Sequence, residues 1–187
     1  MAIDELMLND PARDEMLILV DAFDREIGSA TKLGAHVDGL LHRAFSAVLW
    51  REGENGPELL LAKRALTKYH SGGLWTNSCC SHPRVGEEVL EAGQRRVAEE
   101  LGVEPIGLYE LDSFIYRAVF DNGITEYEFD HVLLGRCEGE PVPDPAEASD
   151  VRWIGFDALS AEMLDAPEQF TVWAFTVFPM VMRELSK

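Results

Sequence analysis

The chain has 187 residues, 47% of them hydrophobic and 27% charged, which fits one globular domain with a hydrophobic core of its own. The 34 acidic and 16 basic residues give a net charge of −18, so the surface repels nucleic acids and anionic membranes, which are therefore excluded as partners. Three cysteines without a framework spacing predict reduced thiols, and the acidic N-terminus lacks the basic region and apolar stretch of a signal peptide, so we expect a cytoplasmic protein.

The first part of the chain is predicted to be an arm followed by strands. Residues 1–15 are expected to form a flexible N-terminal arm, and the short apolar run at residues 16–22 a strand. Residues 42–50 and 58–65 are also typical of strands, and the segment between them is rich in turn residues. We therefore expect a hairpin over residues 42–65.

The rest of the chain adds helices and further strands. Residues 86–103 carry apolar residues at helical spacing and predict a helix that ends at Gly102. Residues 108–120 and 125–137 predict two strands around an Asp-Asn-Gly turn, and residues 151–156 predict another strand. A helix capped by Asp157 should follow, and then, over residues 170–185, a buried helix that is apolar all round and bent at Pro179.

This order of elements predicts an α+β domain in which helices cover a mixed sheet. The chain has no seam of apolar residues typical of a coiled coil, which favours a monomer.

Residues 76–83, Thr-Asn-Ser-Cys-Cys-Ser-His-Pro, place two thiols and an imidazole within four residues. A cysteine near cations or a metal becomes a nucleophile or base because its pKa falls, whereas an ordinary cysteine is a small buried residue. Neighbouring side chains on an extended chain point in opposite directions. We therefore expect one of Cys79 and Cys80 to face a site and the other to face the core.

Two glutamates could take part in a metal site. Glu126 and Glu128 lie two residues apart on a predicted strand and project from one face, where like charges repel unless a cation lies between them. Two carboxylates with several of the five histidines would suit Mg²⁺, Mn²⁺ or Zn²⁺. Because His36, His42 and His82 are far away in sequence, spacing alone favours a solvated strand face.

Basic residues are scarce, so their grouping is informative. Lys63, Arg64 and Lys68 fall within six residues that contain no acid, which suggests an anionic ligand but is equally typical of a solvated hairpin end. Arg96 and Glu100 lie one helical turn apart, as in an ordinary surface ion pair.

Six motifs occur in one order along the chain: HRAFS, KRALTK, GLWTNSCCSHP, RRVAEELGV, EYE and WAF. Together they resemble the type 1 isopentenyl-diphosphate isomerases, metal-dependent enzymes on a Nudix-like fold, from Leu17 to Leu185. The resemblance implies one Nudix-like α/β/α sandwich domain over residues 1–187. It also implies interconversion of isopentenyl and dimethylallyl diphosphate in isoprenoid biosynthesis, with protonation of the alkene to a tertiary carbocation and deprotonation at C2.

The resemblance also implies catalytic roles. The thiol two residues before His-Pro is Cys80, which leaves Cys79 for packing. Glu128 is implied as the other catalytic group, and Tyr116 as the hydrogen-bonding partner that helps to deliver the proton. Trp173 is implied as the ring that faces the carbocation, which an indole face stabilises by about 2 kcal/mol when desolvated.

The ligand sets are implied in the same way. One divalent ion, Mn²⁺, Mg²⁺ or Zn²⁺, would be held by His36, His42, His82, Glu126 and Glu128. A second ion, Mg²⁺, would bridge the diphosphate to Glu100 and the backbone carbonyl of Cys80. Four cations would bind the diphosphate: Lys32, Arg64, Lys68 and Arg96. His70 and His131 have no implied role, and His36 and His42 are six residues apart where the family pattern has seven.

Nudix hydrolases share this fold and cleave diphosphates, so a hydrolase is the alternative interpretation. Their signature, G-x5-E-x7-R-E-U-x-E-E-x-G-U, aligns with residues 81–103, but Ser81 takes the position of the first glycine and Arg96 stands where a metal-binding glutamate is expected. A guanidinium cannot bind a metal but can grip phosphate through two hydrogen bonds, which favours an uncleaved diphosphate. A third interpretation is a domain that binds a ligand without catalysis. It is disfavoured because four implied catalytic residues occur together: Cys80, Tyr116, Glu128 and Trp173.

Overall fold

The computed structural model describes residues 8–187, so the first seven residues of the predicted arm lie outside the described residues. Residues 8–15 lie against the segment that begins at Lys32. The backbone N–H of Lys32 donates to the carbonyl of Glu15 at 2.8 Å, and the Lys32 ammonium pairs with Asp10 at 2.9 Å. The flexible arm and the limits of the single domain stay predictions.

Nine strands and four α-helices make up the described part of the chain. The strands are β1 (Met16–Val20), β2 (Glu26–Thr31), β3 (His42–Gly53), β4 (Gly56–Arg64), β5 (Trp75–Thr76), β6 (Cys79–Ser81), β7 (Ile106–Val119), β8 (Thr125–Arg136) and β9 (Ala148–Gly155). The helices are α1 (Lys32–Asp38), α2 (Val89–Leu101), α3 (Phe156–Asp165) and α4 (Ala174–Leu185). Each predicted strand and the helix predicted over residues 86–103 are confirmed, whereas β2, β5, β6 and α1 were not predicted.

All nine strands join one mixed sheet around β3. Strand β8 runs parallel to β3, with Glu128 opposite His42. The other edge of β3 is shared by β1, β6 and β4 in turn, with Cys80 of β6 opposite Ser46. The predicted hairpin of β7 and β8 places Tyr116 opposite Glu128. Because residues that pair across strands share a face, side chains from four strands project from the same face of the sheet.

Helices cover both faces of this sheet. On one face α2 packs through Ala92, Val97 and Leu101 into a core that includes Phe45 and Cys79. On the other face α3 and α4 pack on a core that includes Val48, Val132 and Val177. The predicted α/β/α sandwich with a mixed sheet is therefore confirmed. Within residues 8–187, no helix is long and apolar enough to cross a membrane.

Two details of the predicted helices are wrong. Gly155, not Asp157, is the N-cap of α3, and no side chain caps this helix, while Asp157 lies in its first turn. The final helix α4 is not buried all round, because its buried residues form one stripe that includes Val177 and Val181, while Phe175 on another face is 42% exposed. Pro179 lies inside this helix, as predicted.

Candidate active site

A cavity of about 660 Å³ opens on the face of the sheet that carries Cys80 and Glu128. It brings together ten of the predicted site residues: Lys32, Arg64, Lys68, Cys80, His82, Arg96, Tyr116, Glu126, Glu128 and Trp173. Three other predicted residues, His36, His42 and Glu100, contact members of this group from buried positions. Residues that are up to about 140 positions apart in sequence therefore meet at one place.

The predicted metal ligands converge beside this cavity. The ligand atoms of His36, His42, His82 and Glu128 all lie within 4.8 Å of one another. The imidazole Nδ1 atoms of His36 and His42 lie 2.6 Å and 2.8 Å from backbone carbonyls, which only accept hydrogen bonds. Both rings therefore carry the proton on Nδ1 and turn the lone pair of Nε2 towards the cluster.

The chemistry of this cluster fits a divalent metal ion. Nε2 of His42 is buried and has no hydrogen-bond partner among the described residues, as expected of a ligand atom whose partner is an ion. Burial lowers the pKa of His82 to about 4, so its imidazole is neutral at pH 7, the form that binds metals. Three imidazoles and a carboxylate are a donor set suited to Mn²⁺, Zn²⁺ or Mg²⁺.

Glu126 lies at the edge of the cluster. Its Oε1 is 3.1 Å from Nε2 of His36 and 2.7 Å from Nε2 of His70. Burial opposes ionisation of Glu126, but the two imidazoles outweigh it and hold the pKa of this carboxyl well below its usual value. Glu126 itself is outside the group of four mutually close ligands. His70, which had no implied role, is thus a site residue that the sequence motifs did not indicate.

Cys80 faces the cavity and Cys79 faces the opposite core, so the predicted alternation of the two thiols is confirmed. The Cys80 thiol donates to Oδ1 of Asn77 at 3.0 Å. Burial and the nearby Asp130 raise the pKa of Cys80 to about 12, so the thiol is protonated at neutral pH.

Asn77 is a second site residue that no motif argument singled out. Its Oδ1 also accepts the indole N–H of Trp173 at 3.1 Å, so one buried amide holds both the thiol and the indole ring. Its Nδ2 donates to the carbonyls of Ala47 and Cys79 at 3.1 Å and 2.9 Å, which anchors the amide to β3 and β6. Its place in the cysteine-containing segment was the available sequence signal.

Tyr116 and Glu128 form a hydrogen-bonded pair. The Tyr116 hydroxyl donates to Oε2 of Glu128 at 2.6 Å, while the other oxygen, Oε1, lies 3.2 Å from Nε2 of His82. Burial and the Glu128 carboxylate raise the pKa of Tyr116 well above its ordinary value, which keeps the hydroxyl protonated. The rings of Tyr116 and Trp173 lie 6.0 Å apart. Aromatic surface therefore borders the proton-carrying pair.

The predicted diphosphate-binding cations line another part of the cavity. Lys68 pairs with Glu147, and Arg96 pairs with Glu100 at 2.6 Å and with Glu147 at 3.1 Å. The guanidinium of Arg64 lies 5.4 Å from the centre of the Trp173 ring. The cations are thus grouped and partly neutralised by carboxylates.

The carboxylates that remain of the hydrolase signature are held by arginines. Glu87 accepts two hydrogen bonds from Arg95, at 2.7 Å and 2.8 Å, and Glu99 accepts one from Arg96 at 2.8 Å. Glu100 is buried, and burial raises its pKa although Arg96 opposes the shift. This arrangement favours the grip on an uncleaved diphosphate over a cluster of metal-binding glutamates for hydrolysis.

Comparisons with known proteins agree with this geometry. The protein-family model of the NUDIX domain matches residues 40–174 of the sequence. The chain is 50% identical to isopentenyl-diphosphate Delta-isomerase 2 of Photorhabdus laumondii over 86% of this chain and 88% of that protein. It is 48% identical to isopentenyl-diphosphate Delta-isomerase of Photobacterium profundum, over 92% of this chain and 97% of that protein.

Solved structures show the same fold at low identity. The crystal structure of DR0079 from Deinococcus radiodurans superposes with a TM-score of 0.70 at 22% identity, over 92% of this chain and 100% of that chain. The NUDIX domain of Shewanella oneidensis NrtR, solved with ADP ribose, superposes with a TM-score of 0.60 at 20% identity, over 78% of this chain and 87% of that chain. The chain belongs to the Nudix family and, within it, to the isopentenyl-diphosphate Delta-isomerases.

Proposed function

We propose that the protein interconverts isopentenyl diphosphate and dimethylallyl diphosphate in isoprenoid biosynthesis, through the tertiary carbocation that protonation of the alkene creates. The observation that carries this proposal is the placement of two proton-carrying groups around one cavity. Cys80 lies on β6, and the Tyr116–Glu128 pair lies on β7 and β8, with β3 between them. Isomerisation needs a proton donor and a proton acceptor, and hydrolysis of a diphosphate needs neither thiol nor indole.

In the forward direction the alkene electrons form a new C–H bond at the terminal carbon, which leaves the positive charge on C3. The C–H electrons at C2 then form the new double bond as the second group takes that proton. Cys80 and the Tyr116–Glu128 pair are proposed as these two groups, and they exchange roles in the reverse direction. Tyr116 passes a proton to or from Glu128 through their 2.6 Å hydrogen bond.

Trp173 is proposed to protect the carbocation. Its ring is buried, and its N–H is held by Thr76 at 2.9 Å and by Asn77 at 3.1 Å, so the indole has a fixed orientation. A desolvated indole face stabilises a cation by about 2 kcal/mol. The aromatic wall formed with Tyr116 also excludes water that would capture the cation.

The metal site and the anion-binding residues are proposed to fix the position of the substrate in the cavity. One divalent ion, Mn²⁺, Mg²⁺ or Zn²⁺, would be bound by His36, His42, His82, Glu126 and Glu128, and its charge would keep the Glu128 carboxylate oriented. Glu100 and the carbonyl of Cys80 would bind a Mg²⁺ that neutralises the diphosphate, and four cations would grip the phosphate oxygens: Lys32, Arg64, Lys68 and Arg96. The small-molecule diphosphate is thus anchored at one end while its alkene lies between the two proton-carrying groups.

The proposal is tested by following isopentenyl diphosphate in D₂O with Mg²⁺ and Mn²⁺, using proton and phosphorus NMR together. We expect dimethylallyl signals with incorporated deuterium and an intact diphosphate. The variants Cys80→Ala and Tyr116→Phe should lose about 10²–10⁴-fold in turnover, the usual contribution of a positioned acid or base. Cys79→Ala, which changes the neighbouring thiol on the other face, is the matched control and should keep its activity.

Two results would contradict the proposal. Release of orthophosphate or pyrophosphate would identify a hydrolase. Turnover of Cys80→Ala equal to that of Cys79→Ala would remove Cys80 from the reaction.

A further inference from the structure

His70 lies in the loop between β4 and β5, and its imidazole is buried against the metal cluster. Its Nε2 is 2.7 Å from Oε1 of Glu126, closer than the 3.1 Å that separates the same oxygen from Nε2 of His36. His70 is not one of the four residues whose ligand atoms lie within 4.8 Å of one another. Its contact with the cluster is therefore made through a carboxylate, as is typical of a residue that orients a ligand.

The hydrogen bonds of the His70 ring determine which nitrogen carries the proton. Oγ of Ser71 lies 3.2 Å from Nδ1 of His70. The ionised carboxylate of Glu126 only accepts hydrogen bonds, so the ring proton lies on Nε2, which donates to Oε1 at 2.7 Å, and the Ser71 hydroxyl can donate to Nδ1. The second carboxylate oxygen of Glu126, Oε2, has one long contact, 3.5 Å from the Tyr116 hydroxyl, which an ion could replace.

The His70 ring is held in place on several sides. It stacks on Phe120 with the ring centres 4.6 Å apart and an interplanar angle of 28°, and its edge meets Trp173 at 6.0 Å. The next residue, Ser71, has a φ of 52°, a left-handed conformation that residues other than glycine adopt only at an energetic cost. The loop thus bends sharply where the imidazole must reach Glu126.

We propose that His70 is a positioning residue of the metal site, which holds the Glu126 carboxylate against the histidine cluster by donating a hydrogen bond from Nε2. The same imidazole ring also contacts Trp173, with the ring centres 6.0 Å apart. This inference rests on the proposed metal site at the same residues. Removal of such an outer hydrogen bond reduces metal affinity roughly 10- to 100-fold in comparable sites.

The test is a calorimetric titration of the metal-free protein with Mn²⁺, which needs no turnover. His70→Phe keeps an aromatic ring for Phe120 and Trp173 but loses the donor, so its Kd should rise roughly 10- to 100-fold. His70→Gln places an amide N–H where Nε2 was and should regain most of the affinity. His131→Phe is the matched control, because His131 is also buried against a carboxylate, with Nδ1 2.8 Å from Glu110, on the opposite face of β8. Its Kd should equal that of the wild type.

The outcomes separate this inference from the proposed metal site. Wild-type affinity in folded His70→Phe would overturn the positioning role and leave the metal site intact. Absence of Mn²⁺ binding by the wild type would overturn the metal site and the positioning role together. If circular dichroism shows that His70→Phe does not fold, His70→Asn replaces it, because its shorter side chain cannot reach Glu126. Wild-type affinity in that variant would then overturn the inference.

Discussion

Replacement of Asn77 by alanine should lower both the stability and the turnover of the protein, because its buried amide anchors two strands and also holds the Cys80 thiol. It donates to the carbonyls of Ala47 and Cys79, and it accepts from the Cys80 thiol at 3.0 Å and from the Trp173 indole at 3.1 Å. In Asn77→Ala the indole keeps a second acceptor, Oγ1 of Thr76 at 2.9 Å. The two carbonyls and the thiol lose the partner that the amide supplied, and so does the Thr76 hydroxyl, which donates to Oδ1 of Asn77 at 3.0 Å.

The size of the effect follows from these losses. A buried polar group left without its partner costs about 1–3 kcal/mol, and about 1–2 kcal/mol for each of the two carbonyls gives a total of about 2–4 kcal/mol. For a chain of this length the corresponding fall in Tm is roughly 5–15 °C. Without Asn77 the Cys80 thiol keeps only its longer contacts with the hydroxyls of Thr76 at 3.7 Å and Ser46 at 3.9 Å. The less firmly held thiol should lower kcat by about 10- to 100-fold, which corresponds to about 1.4–2.8 kcal/mol in the barrier.

The assay combines urea unfolding with isomerase turnover at a temperature where every variant is folded. Ser78→Ala is the matched control, because Oγ of Ser78 accepts from the N–H of Leu49 at 2.8 Å and donates to the carbonyl of Leu60 at 2.7 Å. It should lose stability while kcat is unchanged. A free energy of unfolding for Asn77→Ala within about 0.5 kcal/mol of wild type, or equal kcat values for the two variants, would refute the reasoning.

Two further predictions concern metal binding and packing. Burial lowers the pKa of His36, but Glu126 outweighs it and raises this pKa above 6.5, so protons compete with the metal for Nε2 of His36 near neutral pH. The Kd for Mn²⁺ should therefore rise as the pH falls from about 8 to about 6. Calorimetry that finds a pH-independent Kd would contradict this prediction. In Gly93→Ala the new Cβ would lie 2.5 Å from Cδ1 of Leu133 and 3.1 Å from Cδ2 of Leu108. The cost of overpacking, about 1–3 kcal/mol, should exceed the gain in helix propensity of about 1 kcal/mol. Urea unfolding should therefore report a less stable protein. A gain in stability would show that the core around Leu133 and Leu108 relaxes freely.

The sequence by itself determined the local elements and the family. Two signals depend only on neighbouring residues: the helical period of apolar residues over residues 86–103, and the alternation over residues 125–137 after a tight turn. Helix α2 and the β7–β8 hairpin formed as these signals predicted. The opposite directions of Cys79 and Cys80 follow from the geometry of any extended chain. The order of the six motifs was enough to indicate the fold and the isomerase family.

Local signals were less reliable at the ends and exposed faces of helices. Asp157 is a good capping residue by type, but the backbone places the cap at Gly155, where no side chain is available. Phe175 is apolar, yet it is exposed because α4 packs against the sheet through one stripe only. Burial depends on where a helix is docked, which its own sequence does not state.

The composition of the site was decided by the tertiary structure. Spacing alone favoured a solvated face for Glu128, because His42 and His82 are far from it in the chain. They meet because β3 lies between β6 and β8, so that residues on three strands share one face. His70 and Asn77 belong to the site for the same reason: the loop before β5 and the turn before β6 are folded onto that face. Contacts between distant segments depend on the strand order, and only the folded sheet determines it.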